Sequence, residues 1–150
     1  MKYNLYKAMV GGRITAFGRA CDLISVCIEL PDHTMAYLHT QTLTRVIHKS
    51  KVILSSYDMC KCGKEEKSED FKWWETVTDS VYDITLKQIT PLLLKSRILK
   101  VCPKKTMDLF IYLENDLCLQ VLNSTVEECE LYRIFDNHEE HDIIVPDLWE

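Results

Sequence analysis

Glycine is scarce in this chain: four residues in 150, Gly11, Gly12, Gly18 and Gly63, and none beyond. A phosphate-cradling loop, a dinucleotide fingerprint and a G-x-S-x-G nucleophile elbow all need closely spaced glycines ahead of a helix, and none of these motifs is present. Gly11-Gly12-Arg13 leads into a strand pattern instead. Long apolar runs are missing too. No stretch approaches the roughly 20 apolar residues of a membrane helix. Residues Met1 to Lys7 lead into only a short apolar patch before Gly11, too short for a signal-peptide core. We therefore expect a cytoplasmic protein that makes no membrane contact.

Positive charge nearly vanishes from the last quarter of the chain. Residues 114–150 carry Arg133 alone against eleven Asp and Glu, a net of −10, whereas residues 1–113 carry 17 Lys and Arg against 12 acids, a net of +5. Such a split within one chain predicts an acidic surface that meets a basic partner, the bland alternative being an acidic tail that aids solubility. The seven cysteines are odd in number, and five stand singly in apolar runs where a thiol acts as a small hydrophobe, so they are read as reduced. Only Cys60-Lys61-Cys62 clusters, and its one-residue spacing differs from the two to four residues of common structural zinc sites.

With 47% hydrophobic residues over this length, a single domain spanning 1–150 can bury an ordinary core. Apolar and polar residues alternate, with β-branched and aromatic side chains, at Arg13 to Phe17, Leu23 to Leu30, Met35 to Thr40, Lys51 to Ser56, Ile98 to Cys102, Asp108 to Leu113, Cys118 to Asn123, Leu131 to Phe135 and Asp142 to Val145. Glu114-Asn115-Asp116 reads as a tight hairpin turn. One helix stands out, near residues 79–90: Thr78, Asp79 or Ser80 can cap it, and Tyr82, Leu86, Ile89 and Leu93 recur on one face. Pro91 is expected to stop or kink it.

About that helix the sequence echoes itself. Units at about 13–58 and 97–145 each read as four strands, the second led by Asp-Leu (Asp22-Leu23, Asp108-Leu109) and the fourth ending in aromatic-Asp (Tyr57-Asp58, Phe135-Asp136). The expected fold is α+β: two four-stranded, mainly antiparallel units joined by one helix. Its core should hold Ile14, Leu23, Val26, Leu38, Ile53, Leu86, Ile89, Ile98, Leu109, Ile111, Leu119, Val121 and Ile134.

Several runs together carry a resemblance: Ile14-x-x-Phe17, Ala20-Cys21-Asp22-Leu23, Leu38-His39-Thr40-Gln41, Arg45 with Ile47, Ile53 to Asp58, Asp108 to Ile111, Leu119-x-Val121, Glu130 to Phe135 and Ile143-Ile144-Val145. In these the chain resembles a family of small bacterial single-domain proteins of unknown function, similar to immunity-type proteins encoded beside toxin genes. Tyr132 stands where that family commonly has Trp, and Asn115-Asp116 replaces its Gly-Asp turn. The resemblance supplies no catalytic motif.

Candidate chemistry is sparse. His138-Glu139-Glu140-His141 spaces its histidines three apart between strand patterns, whereas a helical zinc site needs them four apart on one helix face. A looser metal-dependent site at His138 and His141 is the alternative enzyme reading. Asp22 and Asp108 read as turn-forming acids before a carboxylate pair. Lys95, Arg97, Lys100, Lys104 and Lys105 form a basic stripe without a known nucleic-acid module, and a solvated face is expected.

The expectation is therefore a protein that is not an enzyme, needs no cofactor, holds no metal, and binds a basic protein partner, most concretely a toxin. The contacts would come from Glu127, Glu128, Glu130, Glu139, Glu140 and Asp142, with Trp149, Trp73 or Trp74 as an aromatic anchor. An uncharacterised homodimer paired through an edge strand is a further alternative.

Overall fold

The structure is a computed structural model that describes residues 4–64, 71–127, 129–137 and 143–146. In chain order it has α1 (Leu5–Met9), β1 (Arg13–Ala20), β2 (Leu23–Glu29), β3 (Met35–Thr40), β4 (Leu43–His48), β5 (Lys51–Ser55), a 3-10 turn (Ser56–Cys60) and α2 (Val81–Leu93), followed by β6 (Ile98–Pro103), β7 (Leu109–Leu113), β8 (Leu117–Leu122), β9 (Tyr132–Asp136) and β10 (Ile143–Val145). The strands form two antiparallel five-stranded sheets, ordered β1-β2-β3-β9-β10 and β5-β4-β8-β7-β6. The class is α+β with one main helix, and the strand count corrects the expected four per unit to five.

The two halves follow the same strand order, but the four-strand units expected from the sequence echo are not separate, because their hairpins interleave. Each half lays down a three-stranded meander in one sheet and sends its last hairpin into the other: β4 pairs with β8, and β9 pairs with β3. Both first strands carry an irregularity at the same place, between Ile14 and Ala16 in β1 and between Ile98 and Lys100 in β6. Their starts meet, Arg13 bridging Arg97, with the Gly11 N–H donating to the Ile98 carbonyl and the Ile98 N–H to the Gly12 carbonyl, each at 2.8 Å. Gly12 is needed there: a Cβ would lie 2.8 Å from the Glu29 carbonyl oxygen and 2.9 Å from that of Met9.

Strand β4 was missed because its inward positions are Thr44 and Val46, which blunts the alternation. Thr44 is buried, and its hydroxyl meets that of Thr40 at 2.7 Å where the chain crosses between sheets. The counterpart of β9 is thus β4, not the stretch ending at Tyr57-Asp58. Asp22 and Asp108 are not equivalent either: Val26 matches Ile111 in cross-strand register, which sets Leu23 against Asp108. Asp108 makes the turn bonds expected of it, accepting from the Asn123 N–H at 2.6 Å and the Thr106 hydroxyl at 2.7 Å. Asn115 and Asp116 take the left-handed conformation predicted for their turn.

Inward residues face one another strand to strand: Phe17, Val26, Leu38, Ile134 and Ile143 across the first sheet, and Val101, Ile111, Leu119, Val46 and Leu54 across the second. These rows build the core together with Ile14, Ile98, Leu109 and Val121. Ile53, Leu86 and Ile89 are partly buried against it. Leu23 is a correction: it alternates with the buried Ile24 and so points to the outer face of the first sheet.

Helix α2 starts at Ser80 with a capping box. The Ser80 hydroxyl accepts from the Asp83 N–H at 3.0 Å and the Asp83 carboxylate accepts from the Ser80 N–H at 3.1 Å. Pro91 lies inside the helix rather than ending it. It falls in the last turn, where it forfeits one bond to the carbonyl of Lys87, an exposed residue, so the helix continues to Leu93.

A candidate binding face on the first sheet

Alternation along β2, β3 and β9 turns one set of side chains into the core and the other outward. The outward set on the two central strands is Tyr37, His39, Arg133 and Phe135, with Tyr37 directly opposite Phe135 and His39 directly opposite Arg133. The Tyr37 and Phe135 rings stack at 5.2 Å, and His39 meets Phe135 edge-on at 4.9 Å. Towards the β1 edge the outward positions shrink to Cys27 and Ser25, then Ala16 and Gly18. A Cβ on Gly18 would meet nothing within 4 Å, so the aromatic cluster stands above a low shelf.

Beside the cluster lies a cavity of about 380 Å³ lined by Leu23, His39, Gln41, Glu130, Arg133 and Phe135. Leu131 anchors its rim: the Gln41 N–H donates to the Leu131 carbonyl at 3.1 Å, and the Leu131 N–H to the Val145 carbonyl at 2.7 Å. That leaves Glu130 just ahead of β9, where Arg133 donates to both of its carboxylate oxygens, Nε to Oε1 and Nη2 to Oε2, each at 3.1 Å. Partial burial lowers the His39 pKa below its ordinary value and nearby Arg133 lowers it further, while Glu130 opposes them. The shift favours the neutral imidazole, which has one donor and one acceptor nitrogen. The lining offers a carboxylate, a guanidinium, an amide, an imidazole and a phenyl face.

Of the residues predicted to contact a partner, Glu130 lines this cavity. Glu127 is exposed in the preceding connection, its N–H donating to the Thr125 hydroxyl at 3.0 Å. Glu128, Glu139, Glu140, Asp142 and Trp149 lie outside the described residues, as do His138 and His141. Trp74 is exposed and meets the partly buried Trp73 edge-on at 5.9 Å. Cys60 directs its thiol at the Tyr57 carbonyl. Among the described residues no three His, Cys, Asp or Glu side chains are grouped to hold a metal ion.

None of His39, Arg133, Tyr37 and Phe135 is among the site residues named from the sequence, although the strands that carry them, Met35 to Thr40 and Leu131 to Phe135, are marked there. Their two-residue alternation of aromatic with ionisable groups was the available signal. What joins them is the pairing of β3 with a strand from the far end of the chain. No protein-family model, curated protein or solved structure matches this chain.

Proposed function

We propose that the chain is a non-enzymatic protein-binding module of the immunity type, which covers a basic surface of a partner, such as a toxin, with the outer face of the first sheet and its adjoining acidic segment. The observation that carries this reading is the cavity beside the Tyr37, His39 and Phe135 cluster, lined by Glu130 of the acidic part of the chain. Clustered carboxylates speed encounter with a basic surface and reject wrong partners, while aromatic groups in desolvated pockets carry most of the affinity. In this division of labour Glu127, Glu128, Glu130, Glu139, Glu140 and Asp142 steer, and Phe135 and Tyr37 anchor.

The test is affinity capture from a lysate of the source cell at low and high salt, followed by titration of the purified partner. A basic partner should be retained at low salt. Glu139→Lys with Glu140→Lys should weaken its binding more at low salt than at high salt, and Phe135→Ala should weaken it at both. Unchanged affinity in the charge-reversed protein would refute the surface assignment.

A further inference from the structure

The basic stripe of the sequence has a different setting once folded. Arg97 is held by Glu114 at 3.3 Å, but Lys100 stands on the outer face of the second sheet, in a row that runs Lys100, Tyr112, Cys118, Ile47 and Val52 across five strands. The irregularity in β6 adds Leu99 beside it. Leu99 and Tyr112, on neighbouring strands, are 51% and 38% exposed, and Val52, on the far edge strand of the same face, is 52% exposed, high fractions for large apolar side chains. Leu99, Tyr112 and Cys118 share with Lys49 a cavity of about 610 Å³, whose one acid is Asp116. Lys49, at the cavity, and Lys100 are exposed, and neither has a carboxylate partner among the described residues.

We propose that this face of the second sheet is a separate docking surface for an acidic protein segment that also bears apolar side chains. Lys49 and Lys100 supply the complement for carboxylates, and Leu99 and Tyr112, with Val52 at the far edge, the complement for aliphatic groups. A nucleic acid fits less well. Single strands stack bases on successive exposed aromatics, whereas here the partly buried Phe110 meets Tyr112 edge-on, 6.4 Å between centroids, and has Lys104 Nζ over its own ring at 5.2 Å.

The test uses the full chain and fluorescence anisotropy with three labelled probes: a short peptide alternating Glu and Leu, its counterpart with Ser for Leu, and an oligothymidylate. The Glu-Leu peptide should bind saturably. Its affinity should fall by about tenfold or more in Lys49→Glu with Lys100→Glu, and also in Leu99→Ser, while Lys87→Glu on the exposed side of α2 leaves it unchanged. These residues are exposed, so melting temperatures should match the parent. The proposal is overturned by absence of saturable binding, by equal affinity for the Glu-Ser peptide, by indifference to Leu99→Ser, or by tighter binding of the oligonucleotide.

Discussion

Arg19 occupies a core-facing position on β1, two residues after Phe17, and its side chain is 1% exposed, against 4% for its partner Asp83 on α2. All five guanidinium N–H groups are used. Nε donates to Asp83 Oδ1 at 2.7 Å and Nη2 to Oδ2 at 2.8 Å; the others reach the carbonyls of Cys21 (2.7 Å), Trp73 (2.8 Å) and Thr76 (3.2 Å). One side chain thus fastens β1, the segment before α2, and the start of α2. Arg19→Met keeps the bulk but leaves the Asp83 carboxylate buried without its cation, a change worth about 3–5 kcal/mol. For a chain of this length that lowers Tm by about 6–20 °C.

The pH dependence has a definite sign. Burial alone would raise the Asp83 pKa, but Arg19 and Ser80 outweigh it and hold the group below its ordinary value of 3.8. The pair's contribution is present above the unfolded-state pKa and is lost as pH falls through the lower folded-state value. In Arg19→Met burial is opposed by Ser80 alone, so Asp83 holds its proton more tightly than in the folded parent, and the variant gains stability relative to the parent in acid. Urea unfolding across pH 3 to pH 7 should therefore show the widest gap at neutral pH and a narrower one below about pH 4. Arg19→Met with Asp83→Asn should recover part of the loss. A loss under about 1 kcal/mol at pH 7, or a gap indifferent to pH, would refute the reasoning.

Other perturbations separate local from tertiary causes. Gly12→Ala should lower stability by about 1–3 kcal/mol and more than Gly63→Ala, because the Cβ at 12 meets two backbone oxygens whereas at 63 the closest atom, at 2.5 Å, is the movable end of Ile84; melts of the two variants decide it. Leu38→Ala opens the centre of the inner row and should cost about 2–5 kcal/mol in urea titrations. His39 should titrate below its ordinary 6.5 by NMR, moving up in Arg133→Gln and down in Glu130→Gln; a shift in the opposite sense would contradict the site's electrostatics. Tyr6→Phe removes the hydroxyl pair with Tyr132 at 2.9 Å and should cost about 1 kcal/mol.

Much of this protein is written locally. Two-residue alternation marked nine of the strands, the Ser80 cap and the Tyr82 and Leu93 face marked α2, and Asn115-Asp116 marked a hairpin, because each depends on side chains within a few positions of one another. The order of the three meander strands in each half was legible too, but the echo's fourth strand was mismatched, because β4 and not β5 corresponds to β9. Alternation says which face of a strand is buried but not which strand lies beside it: the ladder joins backbone groups that every residue carries. The exchange of the β4–β5 and β9–β10 hairpins between sheets, the burial of Arg19, and the meeting of His39 with Arg133 were therefore decided only in the tertiary structure, where filling one core between two twisted sheets selects the pairing.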